Sequence, residues 1–286
     1  MEHNSKKSVE GLGQGIQPTR KRIWLFIPFL LIGLLIQPFP IIYLEGLFRI
    51  IYLIILPLLL LLAVLIVHRT EKLKKYSLIF FAFFVSSLGF SLQYTWGGYG
   101  STIEITVYYK LLNTSLVVIP IILATRITGN NMASIYLKKG DLRKGLIIGF
   151  TTFLAFLLTS VPVAIYLFGG DASKLTPENL VSWVPWLLVF ILLNGLKEEL
   201  WFRGLFLKKF EIFLGTNPSN FLQAIIFSLA HLSPIFTIST FINLTLTFFL
   251  GLAFGDTMQK TDSLLGSFLF HAGADIPWML AVFSFL

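Results

Sequence analysis

Ionisable and amide side chains interrupt the apolar stretches in the C-terminal half of the chain. A charged side chain near the centre of a membrane helix costs roughly 2.5–3.5 kcal/mol on insertion scales, so each one needs a structural or chemical reason to be there. A carboxylate beside an imidazole can activate water as a general base, or it can carry protons. The residues that stand out are Asn194, Glu198, Glu199, Arg203, His231, His271 and Asp275.

Helical spacing relates the first four of these residues to one another. Glu199 and Arg203 are four positions apart, so they share a helix face and can pair, which lowers the cost of burying both. Glu198 is turned by about 100° from Glu199 and can face a different neighbour. Asn194 lies one turn before Glu198 on the same face and could hydrogen-bond to it. We therefore expect a buried ion pair on this helix, next to a separate carboxylate.

Two further pairs repeat the four-residue spacing. Phe227 can pack one turn from His231 and fix the rotamer of the imidazole, while His271 and Asp275 can converge on one point. At about 1.5 Å of rise per residue from the predicted cytoplasmic helix ends, Glu198, His231 and His271 lie about 15, 18 and 13 Å deep. The sequence thus predicts that alternating helices bring these groups together in one polar site.

The composition indicates that lipid is the solvent for these helices. Hydrophobic types make up 56% of the 286 residues and charged types only 13%, with a mean hydropathy of +0.82. A soluble domain of this length needs far more charge on its surface. Many apolar runs reach the roughly 20 residues that cross about 30 Å of hydrocarbon. We predict an all-α integral membrane protein, a bundle of about eight (seven to nine) transmembrane helices with a polar catalytic cavity in the C-terminal half.

Nine apolar runs are candidate spans. The first is separated from the second only by residues around Glu45, and the seventh is short and stops at Pro234. Either of these two regions could be re-entrant. The candidate spans are residues 23–43, 48–67, 77–94, 106–125, 145–168, 181–206, 219–233, 235–255 and 263–285.

The basic residues support one orientation in the membrane. The formal charge is +8, but Lys and Arg cluster between apolar runs instead of forming one face, so nucleic acid is not an expected partner. With the N-terminus in the cytoplasm, the loops near residues 68–76, 126–144 and 207–218 carry the basic excess expected inside. The chain has no cysteine, which excludes disulfides and a thiol nucleophile. We expect a bacterial plasma-membrane protein.

Three motifs carry a resemblance to a known family. Residues 198–203 resemble the EExxxR motif, residues 227–231 the FxxxH motif, and residues 271–275 the Hxxx(N/D) motif of the CPBP family of intramembrane proteases. This family includes the type II CAAX prenyl endopeptidases and the bacterial Abi proteins. The resemblance predicts three parts: a cytoplasmic tail (1–22), N-terminal transmembrane helices of unassigned role (23–134) and a CPBP/Abi-like protease core (135–286).

The resemblance also implies roles for four residues. It makes Glu198 the base that activates water, with His231 helping to orient and polarise that water. It makes His271 and Asp275 the pair that stabilises the oxyanion. The prenyl-endopeptidase branch has Asn at the last position, and an ionised Asp cannot donate a hydrogen bond. Asp275 is therefore protonated, or orients His271 through its other nitrogen, or joins the other three in holding a metal.

A divalent metal such as zinc accepts two His ligands and a carboxylate with one open position for water, although the resemblance does not strictly require a metal. Each histidine taken alone could equally be a satisfied residue buried between helices. Glu199 and Arg203 are expected as a structural ion pair beside the site, Phe227 as packing, and Asn194 as a weaker polar contributor.

Three functions are compatible with these residues. The leading one is an intramembrane endopeptidase that acts on a peptide or a membrane protein within the lipid bilayer. Buried Glu, His and Asp also form proton relays, so a proton- or ion-coupled transporter is the alternative, although no internal repeat supports it. A non-catalytic scaffold or immunity protein that retains the site is the third. The family name alone does not imply prenylated substrates.

Overall fold

In the computed structural model, residues 20–232 and 237–286 are described, and all regular structure in these two ranges is helical. Seven helices in the described ranges are long and apolar enough to cross a membrane. This confirms the predicted all-α membrane fold, at the lower end of the predicted number of spans. The N-terminal residues 1–19, assigned to the cytoplasmic tail, and Pro234 lie outside the described residues.

Eleven α-helices follow one another along the described chain. Short 3₁₀ segments lie at Arg20–Leu25, Lys74–Tyr76 and Met132–Ile135, and a π-helix at Glu199–Leu207 joins α7 to α8. The α-helices are α1 (Phe26–Ile36), α2 (Pro38–Tyr43), α3 (Gly46–Arg69), α4 (Ser77–Trp96), α5 (Ile103–Ile127), α6 (Leu142–Tyr166), α7 (Pro177–Glu198), α8 (Lys208–Leu214), α9 (Thr216–Leu229), α10 (Ile238–Thr261) and α11 (Leu264–Phe283).

Two of the nine predicted spans are too short to cross the bilayer as single helices. The first is divided between α1 and α2 at Gln37, because Pro38 has no backbone N–H to continue the α1 ladder but is well suited to begin a new helix. The seventh becomes α9, which has 14 residues, whereas a span needs about 20. These are the two regions for which the sequence left a re-entrant structure open.

Large apolar side chains on the outside of α3 fit a lipid environment. Phe48, Ile54, Leu58 and Leu62 are all exposed on this helix. An apolar face of this kind would be unstable in water, but in hydrocarbon it needs no cover. The helix thus shows that much of the apolar composition faces lipid and not a protein core.

The described residues within 1–88 and 205–252 form one compact unit. Its core is aromatic: the ring of Phe29 stacks on Phe210 with centroids 5.5 Å apart, and Phe83 lies 5.9 Å from Phe206 and 6.2 Å from Phe210. Offset-stacked and tilted rings at these separations add to the stabilisation from burial alone. The cluster ties α1 and α4 to the segment that enters α8.

Within the same unit, α9 packs closely on α10. Gln223 and Asn220 donate side-chain hydrogen bonds to the α10 carbonyls of Gly251 and Leu252, at 2.8 and 3.0 Å. A Cβ atom at Gly251 would lie only 3.1 Å from the ring of Phe227. Amides that bond a neighbouring helix and a small residue at the crossing point are typical of helix packing in membranes. Together they fix the helix that carries Phe227.

Residues 89–204 and 253–286 form the second compact unit. Its closest helix contact is between α6 and α11, where glycines allow the backbones to approach. A Cβ atom at Gly266 would lie 2.9 Å from the Cα of Gly145, and one at Gly273 would lie 2.6 Å from the Cα of Phe153. Because both obstacles are backbone atoms, they cannot move aside. Small residues at this interface therefore set the position of α11.

The starts of four helices in the second unit are set by side-chain caps. Thr102, Asp141, Thr176 and Ser263 each accept a hydrogen bond from a backbone N–H in the first turn of α5, α6, α7 and α11, respectively. Such caps satisfy donors that a helix start leaves open and contribute about 1 kcal/mol each. They fix where each helix begins and hence the height of the residues it carries.

We expect Gly273→Ala to lower the thermal unfolding midpoint of the purified protein in detergent, because the added methyl overpacks the α6–α11 contact at a cost of about 1–3 kcal/mol. Gly145→Ala is the matched control, since its Cβ would lie 3.5 Å from the nearest atom of Gly266, an ordinary contact. Circular dichroism melts of both variants test this. Equal midpoints for the two would contradict the packing described here.

Candidate active site

The carboxylates of the EExxxR motif lie at a change in helix type. Helix α7 ends at Glu198, and the chain continues as a π-helix from Glu199 to Leu207. Regular α-helical winding was predicted through this segment, and the π-helix corrects that prediction. π-Helices are rare in proteins. Those that do occur are frequently found at functional sites. Glu198 and Glu199 thus stand on either side of the junction.

The predicted ion pair between Glu199 and Arg203 is present and completely buried. Arg203 Nη1 lies 2.9 Å from Glu199 Oε1, and neither side chain has any exposed surface. The guanidinium also lies over the ring of Phe254, 5.1 Å from its centroid. An aromatic face and a carboxylate together compensate the burial of the cation.

His271 is held on one side by this ion pair. Its Nδ1 lies 2.7 Å from Glu199 Oε1, and its ring stacks on Phe254 with centroids 4.6 Å apart. Ser267, one turn earlier on α11, donates to the other oxygen of Glu199. A carboxylate that takes donors from Arg203 and Ser267 is an acceptor, so Nδ1 carries the hydrogen and Nε2 faces the opposite way.

Two carboxylates face the Nε2 atom of His271. Glu198 Oε2 lies 3.6 Å from it and Asp275 Oδ1 3.7 Å. These separations are too long for a direct hydrogen bond and suit groups that share a third partner such as water. The structure therefore brings together Glu198, His271 and Asp275, three of the four residues that were predicted to meet. Nδ1 of the imidazole is engaged by Glu199, which the sequence analysis had assigned to a structural ion pair only.

Asn194 bonds Asp275 and a lysine that the sequence analysis missed. Asn194 Nδ2 donates to Asp275 Oδ2 at 2.9 Å, and Lys110 Nζ donates to Asn194 Oδ1 at 2.8 Å. The sequence analysis had paired the Asn194 amide with Glu198. A signal for Lys110 existed, because it is a lone cation well inside the apolar helix α5.

A second lysine lies beside Glu198. Lys197 is buried, and its Nζ lies 3.6 Å from Glu198 Oε1 and 3.5 Å from the side-chain oxygen of Gln93. Each of the three carboxylates therefore has a cation: Arg203 directly for Glu199, Lys197 directly for Glu198, and Lys110 through Asn194 for Asp275. We refer to these seven residues together with His271 as the polar cluster.

Phe227 and His231 belong to the first unit and are described within it. Their rings are 4.8 Å apart, as the four-residue spacing predicted, and His231 Nδ1 lies 2.8 Å from the Phe227 carbonyl. A carbonyl only accepts, so Nδ1 carries the hydrogen here also. His231 was predicted inside a span, but α9 ends at Leu229 and the histidine lies in the turn that follows.

The second unit also has an open cavity of about 500 Å³. Its walls come from the start of α5, from residues on and just before α7, and from the C-terminus, and they do not include the polar cluster. The lining residues are Thr102, Ile103, Glu104, Lys174, Asn179, Trp183, Phe283, Ser284, Phe285 and Leu286.

The possible ligands for a metal ion in this protein are carboxylate and imidazole side chains. Among the residues that the structure describes, no group of three His, Cys, Asp or Glu side chains is arranged to hold a metal ion. The ammonium of Lys197 already provides a positive charge beside the Glu198 carboxylate. We therefore derive no step through a metal, and the zinc set of Glu198, His231, His271 and Asp275 stays a prediction.

Comparison with known proteins gives one match. The model of a family described as type II CAAX prenyl endopeptidase Rce1-like matches residues 180–277, a segment that contains all three motifs. No curated protein and no solved structure matches the chain. Because the matched segment coincides with the motif region, the comparison agrees with the resemblance found from the residues. This match and the three motifs together support a likeness of residues 180–277 to the CPBP family of intramembrane proteases, to which the type II CAAX prenyl endopeptidases belong.

Proposed function

We propose that this protein is an intramembrane endopeptidase of the glutamate type, in which Glu198 activates a water molecule and His271 stabilises the oxyanion that forms. The observation that carries the proposal is the contact between Glu199 and His271 Nδ1, at 2.7 Å, because it turns Nε2 toward Glu198 and Asp275. A base and a hydrogen-bond donor at one point are what peptide hydrolysis by water requires.

The reaction proceeds in two steps. Glu198 accepts a proton from water while the water oxygen attacks the carbonyl carbon of the peptide, and the carbonyl oxygen becomes an oxyanion. In this scheme His271 is doubly protonated, so that Nδ1–H bonds Glu199 while Nε2–H donates a hydrogen bond to the oxyanion. Glu198 then returns its proton to the leaving amine, and the C–N bond breaks. A role for His231 in orienting the water is what the family resemblance implies, and it stays a prediction.

The protein partners of the three carboxylates support a mechanism without a metal. Glu199 is paired with Arg203, Glu198 lies beside Lys197, and Asp275 accepts from Asn194, so each carboxylate has a partner from the protein itself. In this scheme Lys197 holds Glu198 in its ionised form, ready to accept a proton. Asp275 accepts from Asn194 and faces His271, and so helps to keep a proton on the imidazole.

The family match favours hydrolysis over the two alternatives, an ion-coupled transporter and a non-catalytic scaffold. The matched family is described as type II CAAX prenyl endopeptidase Rce1-like. For this chain we propose only a peptide or membrane-protein substrate. We propose a bacterial plasma membrane as its location, and the alternation of the basic loops supports an N-terminus in the cytoplasm.

Glu198→Gln is expected to reduce peptide cleavage by roughly 10²–10⁴-fold, because the amide cannot accept the proton of water. The matched control is Glu178→Gln, an exposed carboxylate in the first turn of the same helix. Purified protein in lipid nanodiscs is incubated with a peptide library and the products are identified by mass spectrometry. If Glu198→Gln cleaves as fast as the wild type while both remain folded, Glu198 is not the base.

Glu199→Ala is expected to lower the free energy of unfolding by about 3–5 kcal/mol, since it leaves the Arg203 guanidinium buried without its carboxylate. Asp256→Ala is the control, because Asp256 and Lys260 form a pair with the same spacing that is about half exposed. Removing such an exposed pair costs about 0–1 kcal/mol. Thermal melts in detergent compare the two variants. Similar losses for both would show that Glu199 is not the anchor described here.

Treatment with a chelator followed by desalting is expected to leave the cleavage rate unchanged, because the proposed reaction uses no metal. Metal content is measured by mass spectrometry before and after treatment, so that the loss of any bound zinc is seen directly. A rate that falls with zinc content and returns when zinc is added would replace the glutamate-type mechanism with the metal-dependent one.

A further inference from the structure

We propose that Lys110 is a positioning residue for the reaction: it fixes the orientation of the Asn194 amide and, through that amide, the Asp275 carboxylate beside His271. This inference rests on the proposed function. It concerns a residue on α5, outside residues 180–277 that match the family model.

With Lys110 as an ammonium, the hydrogen-bond chemistry of the three side chains sets one orientation of the amide. A lysine ammonium has donors and no acceptor, so the atom of Asn194 at 2.8 Å from Lys110 Nζ is the carbonyl oxygen Oδ1. The amide nitrogen Nδ2 must then face the other way, toward Asp275 Oδ2 at 2.9 Å. Lys110 therefore determines that the Asn194 amide presents its N–H donor, and not its oxygen, to Asp275.

Two contacts hold Lys110 itself in place. Thr114, one turn further along α5, donates to the carbonyl of Leu193 on α7 at 3.2 Å. The ammonium of Lys110 also lies over the ring of Phe190, 4.2 Å from its centroid. A flexible lysine would ordinarily extend toward the membrane surface. Here the aromatic face and the helix contact hold the ammonium next to Asn194.

The loss of this lysine has a defined consequence for the reaction. Without the ammonium, the Asn194 amide is free to rotate by half a turn and to place Oδ1 against Asp275, where two oxygens repel. Asp275 would then shift relative to His271 Nε2, which it faces at 3.7 Å. Small displacements of groups around reacting atoms reduce rates strongly without weakening substrate binding.

The test is Lys110→Met, which keeps the length of the side chain and removes the charge. We expect kcat for peptide cleavage to fall about 10–100-fold with KM unchanged, and Lys110→Arg to recover part of the rate because it retains donors. Lys139→Met, an exposed lysine of the same unit, is the control and should match the wild type.

A double-mutant cycle separates positioning from a general effect on folding. If Lys110 acts through Asn194, Lys110→Met should cost nothing further in the Asn194→Ala background. Losses that simply add would overturn the inference. A higher KM for Lys110→Met with an unchanged kcat would also overturn the inference.

One further measurement is independent of cleavage, so that failure of the inference and failure of the proposed function can be told apart. In protein labelled with ¹⁵N-asparagine, the side-chain amide signal of Asn194 should shift in Lys110→Met and in Asp275→Ala, but not in Lys139→Met. If the wild type cleaves no peptide, the proposed function fails and this signal alone decides the role of Lys110. An unchanged signal overturns the inference. If Lys110→Met does not fold, Lys110→Arg and Lys110→Gln take its place in both measurements.

Discussion

The structure of the second unit depends on one electrostatic constraint: a carboxylate inside a membrane helix must be matched by nearby charge and hydrogen bonds. Unmatched, each would cost several kcal/mol. Glu199 meets the constraint with Arg203, Ser267 and His271, while Glu198 meets it with Lys197. Ser267 and His271 come from α11, so their bonds to Glu199 also hold that helix beside the segment that carries the two carboxylates. The close glycine contact between α6 and α11 holds the last helix where its histidine can take part.

Phe254 contacts both the buried ion pair and the imidazole of the proposed active site. Its ring lies under the guanidinium of Arg203 and stacks on the imidazole of His271. One apolar surface therefore supports both the buried ion pair and the ring that works in the reaction. Such a platform excludes water from Glu199 and restricts His271 to one plane, so that the imidazole is oriented before any substrate arrives.

Much of this arrangement is predictable from residue types and spacing. Apolar runs indicated the membrane helices, and the four-residue spacings predicted the pair of Glu199 with Arg203 and the packing of Phe227 on His231. Two kinds of feature escaped prediction. The depth estimate placed His271 level with Glu198, but it could not show that the neighbouring Glu199 is the carboxylate that its Nδ1 contacts. The π-helix altered local winding, which an assumption of 3.6 residues per turn cannot anticipate.

The winding at residues 199–207 also bears on how this protein tolerates change in length. A π-helix accommodates an extra residue per turn relative to its neighbours, so it behaves as an insertion that the helix has absorbed. Removing one residue from this stretch would let the chain relax to ordinary α-helical winding and rotate everything beyond it. The side chains of α8, including the core residue Phe210, would then leave the positions in which they now pack. Sequences related to this one should therefore vary in composition here more readily than in number of residues.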